Sequence, residues 1–330
     1  MPTMTIEAQL SASRALPRGT GLANYAQAAV LLAAFAALLA VALWPSLGEG
    51  ALVVAALTAV AIALLASRAG PATMMLLYGA RPYEAGDLAQ FDRITGELAR
   101  RAGLRTPPRL YVVPSMLLSA FSVGTRQRFA IAVTEGLLRR LTMREVAAVL
   151  AREVAHAQRG DLFVFGIADA VSRCAQVLYY VGLALAALNL LDAVTGGEPV
   201  PWPSVIVMLL APAAMSLLQL RLSRTREFDA DRAAALLTGD PLGVASAVSR
   251  LDAAPGSAVD DLLPPVPARK VGLPSMLRLP TEVPARIARL TAFQAPPMPP
   301  LDISEGPRIS LIGVGPIELR PRYRWPGIWF

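Results

Sequence analysis

Four long stretches of the chain carry no charged residue, and this pattern constrains the fold more than any other feature. They cover residues 19–48, 50–67, 174–191 and 199–220. A helix needs about 20 consecutive apolar residues to cross the hydrocarbon core of a bilayer. The sequence therefore predicts two transmembrane helical hairpins, at residues 24–80 and 162–221. For the second pair, whose last run contains Pro212, a hairpin buried inside a folded domain remains open as the alternative.

The overall composition agrees with a membrane protein. Hydrophobic residues make up 55% of the 330-residue chain and charged residues 17%, with a mean hydropathy of +0.49. Soluble domains are typically about 45–50% apolar and about 25% charged, so a soluble enzyme is excluded, and so is a disordered regulator. Cys174 is the only cysteine and His156 the only histidine. Neither an intramolecular disulfide nor a cysteine-based zinc knuckle can therefore form.

Basic residues flank the apolar stretches on one side only. They are Arg14, Arg18, Arg68, Arg81, Arg173, Arg221, Arg224 and Arg226. The loops inside the two hairpins, residues 45–50 and 192–203, contain neither Arg nor Lys. Because Arg and Lys favour the cytoplasmic side, both termini and the polar middle are predicted to be cytoplasmic, in a multi-pass protein of a bacterial-type inner membrane. The net charge of +7 fits these membrane flanks, and no nucleic-acid partner is expected.

Residues 82–161, between the hairpins, have the patterning of a globular domain. Short β-type runs at residues 109–113 and 129–133, with a further candidate strand at 119–124, predict a small sheet. Apolar residues at helical spacing predict a helix over residues 86–102. The expected fold class is therefore mainly α with a small β-sheet (α+β).

A longer helix is predicted from Met143 to about Gln158. Thr142 and Glu145 match the S/T-x-x-E capping box, which marks a helix start. Gly160 stands in the usual stop position at the other end. The sequence therefore defines both ends of this helix.

The segment REVAH inside this helix has the spacing of a metal-binding motif. Arg152 and His156 are four positions apart, so their side chains lie on one helix face, with Glu153 beside them. In the HExxH helix of zinc metalloproteases, two His residues at these positions hold the metal and the Glu is the general base. Taken by itself, RExxH is weak evidence, because the same residues also occur on ordinary solvated helix faces.

The surroundings of this helix resemble a known family. Residues 106–161 (TPPRLYVVPSMLLSAFSVGTRQRFAIAVTEGLLRRLTMREVAAVLAREVAHAQRGD) strongly resemble the HtpX-like and CAAX-prenyl-protease group of membrane zinc metalloendopeptidases, which are gluzincins. Residues 223–231 (SRTREFDAD) are similar to the group's S-R-x-x-E-x-x-A-D helix, and residues 286–290 (RIARL) to its R-I-x-x-L stretch. The resemblance covers roughly residues 25–293. It implies a zincin-like metallopeptidase domain combined with two transmembrane helical hairpins.

The resemblance implies roles for individual residues. Glu153 matches the general base, and His156 and Glu227 match two ligands of a zinc ion. Asp231 and Asp161 match carboxylates that contact the ligands without binding the metal themselves. The strand on which a peptide substrate would lie is matched by Ser119, Ala120, Phe121, Ser122, Val123 and Gly124. The implied cofactor is Zn²⁺, and the implied partners are the bilayer and protein or membrane-protein segments.

Three departures from the family pattern concern the chemistry. Arg152 occupies the position of the first zinc ligand, Ser119 replaces an Asn of the edge segment, and the His that precedes R-I-x-x-L in the family is missing. Arginine stays protonated and has no acceptor to offer a metal. We therefore expect Zn²⁺ to bind weakly or not at all, and peptide hydrolysis to be lost or weakened. The Arg152 guanidinium is expected to neutralise nearby carboxylates, with Glu153, Glu227 and Asp231 as the candidates.

An active zinc endopeptidase in membrane-protein quality control remains the alternative. Such an enzyme would need a replacement ligand, for which the candidates are Asp161, Asp229, Asp231 and Cys174. The predicted order along the chain is a cytoplasmic N-terminus (1–23), the first hairpin (24–80), the first part of the metallopeptidase-like domain (81–161), the second hairpin (162–221), the second part of that domain (222–295) and a Pro-rich, partly disordered tail (296–330).

Overall fold

The structure is a computed structural model that describes most of the chain from Gly21 onward. The described residues are 21–68, 70–77, 79–82, 89–115, 118–252, 283–293, 301, 303, 323–324 and 328–329. The N-terminus predicted to be cytoplasmic lies almost entirely outside them, as does most of the Pro-rich tail. The start of the helix predicted from residue 86 also lies outside them.

The described residues form ten helices and six strands. The helices are α1 (Gly21–Leu47), α2 (Gly50–Arg68), α3 (Pro71–Leu77), α4 (Ala89–Arg101), α5 (Glu135–Arg140), α6 (Met143–Arg159), α7 (Asp161–Thr195), α8 (Trp202–Thr238), α9 (Pro241–Asp252) and α10 (Val283–Thr291). The strands are β1 (Arg81–Pro82), β2 (Arg109–Val113), β3 (Ala120–Gly124), β4 (Phe129–Thr134), β5 (Tyr323–Arg324) and β6 (Ile328–Trp329). A mainly helical α+β fold with a small sheet is thereby confirmed.

Apolar helices long enough to span a bilayer form one part of the molecule. Within the described residues they are α1, α7 and the first half of α8, Trp202–Gln219. The apolar part of α2 is shorter and covers Gly50–Ala66. Large apolar side chains of α7, including Val177, Leu183 and Leu190, are exposed. The second hairpin is therefore not buried inside a soluble core, and its exposed apolar surface suits contact with lipid.

Helix α8 runs without a break from the membrane part into the polar domain. It continues through Pro212 and extends to Thr238, so that the predicted boundary at residue 221 lies inside one helix. Proline in a helix interior removes one hydrogen bond, which membrane-spanning helices tolerate when neighbours compensate. The same helix thus carries an apolar stretch at one end and Glu227 and Asp231 at the other.

Helices α7 and α8 approach each other closely at Gly182. A Cβ atom at this position would lie 2.8 Å from the Cβ of Met208 and 3.3 Å from the backbone nitrogen of Leu209. Such a contact is too short for any side chain, so glycine is required here. Small residues at helix crossings are typical of membrane bundles, because they let the backbones approach.

The main sheet has the strand order β1-β2-β4-β3. β2 and β4 are parallel, whereas β3 is antiparallel to β4 and forms one edge of the sheet. β3 ends at Gly124, which has a φ of 121° and a backbone so close to Arg128 that a Cβ would lie 2.4 Å from the carbonyl oxygen of Arg128. Glycine is therefore needed to turn the chain between β3 and β4.

Helix α6 packs beneath this sheet and is buried from Glu145 to Arg159. The capping box of Thr142 and Glu145 is present, with each side chain bonded to the other residue's backbone nitrogen. At the other end Gly160 adopts the left-handed conformation and starts the change of direction into α7. Buried side chains of Leu150 and Val154 join the core that contains Ile131 of β4. The predicted ends of this helix are confirmed, and the interpretation of REVAH as a solvated helix face is wrong.

Candidate functional site

Helices α6 and α8 bring the residues singled out from the sequence to one place. α6 contributes Arg152, Glu153 and His156, and α8 contributes Glu227 and Asp231, all of them buried. The four-residue spacings in both helices put each set on one face, as the two motifs predict. The structure thus groups polar side chains inside the domain, close to where α8 enters the apolar part.

Arg152, at the position where the family resemblance implies the first zinc ligand, forms an ion pair with Glu227. Its Nη2 donates to Oε2 of Glu227, and its Nε lies 3.7 Å from Oδ1 of Asp231. Burial, the largest single cause, would raise the pKa of Glu227, but the charges of Arg152, His156 and Arg286 and the hydrogen bond from Arg152 together lower this pKa to about 2. Burial would likewise lower the pKa of Arg152, yet Glu227 and Asp231 raise it. Both partners are therefore charged at neutral pH.

A second arginine joins this cluster from α10. Nε and Nη2 of Arg286 donate to the two carboxylate oxygens of Asp231 at 2.6 and 2.7 Å, and Nη2 lies 3.5 Å from Glu227. A bidentate pair of this kind fixes the carboxylate in direction as well as in charge. Arg286 is the first residue of the R-I-x-x-L stretch, and that motif was the sequence signal that could have placed it here.

Glu153, the residue that matches the general base, is held by the edge strand. Oγ of Ser122 in β3 donates to Oε2 of Glu153 at 2.8 Å. Among the described residues the other oxygen, Oε1, has no hydrogen-bond partner. Burial raises the pKa of Glu153 even though the charges of His156 and Arg152 act in the opposite direction. Glu153 is thus bonded to Ser122, while the hydrogen bond of Arg152 goes to Glu227.

His156 is oriented by Asp161, the first residue of α7. Its Nδ1 lies 3.0 Å from Oδ2 of Asp161, and its ring meets the edge of Phe165 at a centroid distance of 5.1 Å. Asp161 also accepts hydrogen bonds from Nη1 of Arg226 at 2.7 Å and from Nε of Arg159 at 3.3 Å. A carboxylate on one ring nitrogen is the usual arrangement behind a metal-binding histidine. Asp161 thus links the ring of His156 to two arginines, Arg159 and Arg226.

The edge strand divides its side chains between the two faces of the sheet. Ser122 points toward Glu153, while Phe121 and Val123 pack in a separate apolar cluster with Met75 of α3. Ala120 belongs to the core that contains α6. Ser119 precedes the strand, and its backbone is bonded in both directions to the hydroxyl of Thr134.

The residues of this site do not fit a zinc ion of the gluzincin type. The place of one ligand is taken by a cation, and Glu227, the expected third ligand, is paired with that cation. Arg152 and Arg286 already balance the charges of Glu227 and Asp231. A zinc ion would therefore have to bind among side chains whose charges already cancel. It would also lie beside the fixed positive charge of Arg152. Within the described residues, no group of three His, Cys, Asp or Glu side chains is arranged to hold a metal ion.

The replacement ligands considered from the sequence are engaged elsewhere or distant. Asp161 supports His156, and Asp231 is paired with Arg286. Asp229 is paired with Arg159 at 2.9 Å. Cys174 lies on α7, and the helical rise puts it roughly 20 Å along the axis from Asp161.

Two polar residues of α1 lie beside the site and were missed from the sequence. Nδ2 of Asn24 donates to the backbone carbonyl of Arg159 at 3.1 Å. Oε1 of Gln27 accepts from Nε of Arg226 at 2.8 Å. Polar side chains within an apolar helix usually face the interior of a bundle, and this was the signal that could have found them.

Known proteins that are similar to this chain point to one family. The model described as Peptidase family M48 matches residues 87–278. Protease HtpX homolog of Burkholderia multivorans is 33% identical over 234 residues, which are 69% of this chain and 79% of that protein. The protein of the same name from Trichormus variabilis is 33% identical over 239 residues, 71% of this chain and 81% of that protein. The family match and the extent of these similarities lead to one conclusion: the chain belongs to peptidase family M48.

Proposed function

We propose that this HtpX-like membrane protein binds segments of other proteins and hydrolyses them weakly or not at all. The family is in general zinc-dependent and acts on proteins. The observation that carries the proposal is the ion pair between Arg152 and Glu227, the two residues that the family resemblance matches to the first and third zinc ligands. A cation at this place opposes the binding of a dication.

The energetic cost of admitting zinc supports this proposal. Zinc could reach Glu227 only if the Arg152 guanidinium moved away, and Arg152 is buried on a packed helix. Breaking a buried ion pair by removing one partner typically costs about 3–5 kcal/mol. Loss of even a supporting partner of a metal ligand typically costs about 10–100-fold in affinity. Loss of a direct ligand beside a fixed cation is therefore expected to cost more.

Two unsatisfied groups in the site support binding of a protein segment. Within the described part of the chain, Nε of Arg152 and Oε1 of Glu153 are buried without a hydrogen-bond partner. A peptide unit offers one acceptor and one donor, and it could satisfy an N–H group and a carboxylate oxygen together. Ser122 of the edge strand adjoins Glu153, so an extended segment paired with β3 would pass close to Glu153.

The membrane position belongs to the same proposal. Exposed apolar side chains on α1, α2, α7 and α8 support a multi-pass protein. The similarity to bacterial proteins favours a bacterial-type inner membrane, and the distribution of Arg residues around the two hairpins favours the cytoplasmic side for the peptidase-like domain. Glycosylation or protease accessibility of tags placed in residues 45–50 and 192–203 would test this orientation.

An active endopeptidase is the second candidate function. It is favoured by the preserved pairing of His156 with Asp161 and by the raised pKa of Glu153, which suits proton transfer. These groups would still need a metal or an equivalent electrophile, and Arg152 stands where the resemblance implies the first ligand of that metal. The observations at Arg152 therefore favour the first candidate.

The decisive experiment measures metal, binding and cleavage on the same preparation. The full chain in nanodiscs is washed with chelator, supplied with Zn²⁺, and analysed for bound zinc and for binding and cleavage of fluorescent casein. We expect casein to bind, zinc to be far below one equivalent, and cleavage to equal that of the control variant Glu153→Gln. Stoichiometric zinc, with cleavage that Glu153→Gln abolishes, would contradict the proposal and support the active enzyme.

A further inference from the structure

A chain of hydrogen bonds connects the first membrane helix with the histidine of the site. Oε1 of Gln27 accepts from Nε of Arg226 at 2.8 Å and from Nη2 of the same residue. Nη1 of Arg226 donates to Oδ1 of Asp161 at 2.7 Å. Oδ2 of Asp161 lies 3.0 Å from Nδ1 of His156. Three contacts thus lead from α1 through α8 and α7 to α6.

The same turn of α1 also contacts the end of the site helix. Nδ2 of Asn24 donates to the carbonyl oxygen of Arg159, the last residue of α6, at 3.1 Å. The last carbonyl groups of a helix have no partner within that helix. Asn24 is buried, and it satisfies one of these groups next to Gly160. α1 therefore meets α6 directly as well as through the chain of hydrogen bonds.

Because these polar groups are buried, loss of their hydrogen bonds costs free energy. Arg226 is 4% exposed and Asp161 is 1% exposed. A buried polar group that loses its partner typically costs about 1–3 kcal/mol, and more if it is charged. Without Gln27, the Arg226 guanidinium would keep Asp161 as its only partner among the contacts described here. Its orientation, and with it that of the Asp161 carboxylate, would then be less restricted.

We infer that Gln27 is a positioning residue which, through Arg226 and Asp161, fixes the ring orientation of His156. The position of the first membrane helix thereby determines the geometry of a site that lies outside the apolar region. Among the described residues, Arg159, itself paired with Asp229, also contacts Asp161, and Phe165 also contacts His156. The inference does not rest on the proposed function, because the contacts are the same whether or not the site hydrolyses peptides.

Packing of α1 does not depend on Gln27. Leu31 and Phe35 of α1 are buried in a core with Val164 and Ile167 of α7, and the ring of Tyr25 lies 5.5 Å from that of Phe163. Replacing Gln27 by an apolar residue of similar volume should therefore leave α1 in place. It would remove the hydrogen bonds alone.

The single histidine of the chain provides a direct measurement. In the full chain, incorporated into nanodiscs with ring-¹⁵N histidine, every histidine signal comes from His156. Gln27→Leu should shift or broaden the two ring-nitrogen resonances. Gln27→Glu keeps an acceptor for Arg226 and should restore resonances close to those of the wild type. If Gln27→Leu does not fold, Gln27→Met, which is unbranched and also lacks the acceptor, takes its place.

A matched control separates this effect from general loss of stability. Nε2 of Gln219 on α8 donates to Oγ of Ser172 at 2.8 Å and to the carbonyl oxygen of Ala168 at 3.2 Å, both on α7. These bonds are not part of the chain of hydrogen bonds from Gln27 to His156. Gln219→Leu should lower the melting temperature without moving the His156 resonances. The inference is overturned if Gln27→Leu leaves these resonances unchanged, or if Gln219→Leu moves them equally.

Discussion

Arg152 on α6 and Glu227 on α8 form a buried ion pair, although 75 positions separate them in the chain. In our proposal this pair links the two helices where a zinc ion links them in the peptidases of the family. A metal ion holds its ligands strongly and also activates water. A guanidinium can hold a carboxylate, but it does not supply a metal-bound nucleophile. The scaffold could thus persist while the chemistry is lost.

Restoring the first ligand should restore metal binding. In Arg152→His the cation is removed, and the new imidazole joins His156 and Glu227 to give the three ligands that catalytic zinc sites use. We expect close to one zinc per chain after washing with chelator, measured by elemental analysis. Arg152→Gln is the matched control, because it removes the charge without supplying an imidazole. Equal zinc in both variants would show that the charge, and not the missing ligand, controls binding.

Removal of Arg152 should destabilise the domain. Arg152→Met leaves Glu227 buried without its main partner, and such a change typically costs about 3–5 kcal/mol. The double variant Arg152→Met/Glu227→Met should recover much of this loss, because no unpaired charge is left. Urea unfolding monitored by tryptophan fluorescence would measure both. The exposed pair of Arg144 and Asp240, joined at 2.7 Å, is the control, and Arg144→Met should cost less than about 1 kcal/mol.

The capping box of α6 should contribute measurably to stability. Thr142→Ala removes the hydroxyl that accepts from the backbone nitrogen of Glu145, and loss of such a cap typically costs about 1 kcal/mol. Thr142→Ser keeps the hydroxyl and should remain within a few tenths of a kcal/mol of the wild type. Thermal unfolding in the same detergent would compare the three proteins. A Ser variant as unstable as the Ala variant would argue against the cap.

The crossing of α7 and α8 should not tolerate a side chain at Gly182. Even Gly182→Ala places a Cβ atom 2.8 Å from that of Met208, so the helices must separate and the melting temperature should fall. Gly166 lies on the same helix, and a Cβ there would meet nothing within 4 Å. Gly166→Ala should therefore be neutral or stabilising by up to about 1 kcal/mol. Equal melting temperatures for the two variants would contradict the close crossing.

Much of the fold could be predicted from local sequence signals. Uncharged runs indicated the apolar helices, short β-type runs indicated the strands, and the capping box with Gly160 gave the ends of α6. Contacts between distant residues could not be predicted this way, since periodicity says which face a residue is on but not what that face meets. Two such contacts are the one between Arg286 and Asp231 and the one between Gln27 and Arg226. Gln27 and Arg226 are 199 positions apart in the chain. The partner of Glu153 also depended on the register of β3, which places Ser122 against α6.

The continuity of α8 sets a limit on where a protein segment can be captured. Its apolar stretch ends at Gln219, and Glu227 follows on the same unbroken helix. At the rise of an α-helix these residues are roughly 12 Å apart along the axis. A client chain that reaches Glu227 must therefore lie within that distance of the hydrocarbon boundary. Under the proposed function, the site would therefore favour polypeptide just emerging from the bilayer over segments deep inside a cytoplasmic domain.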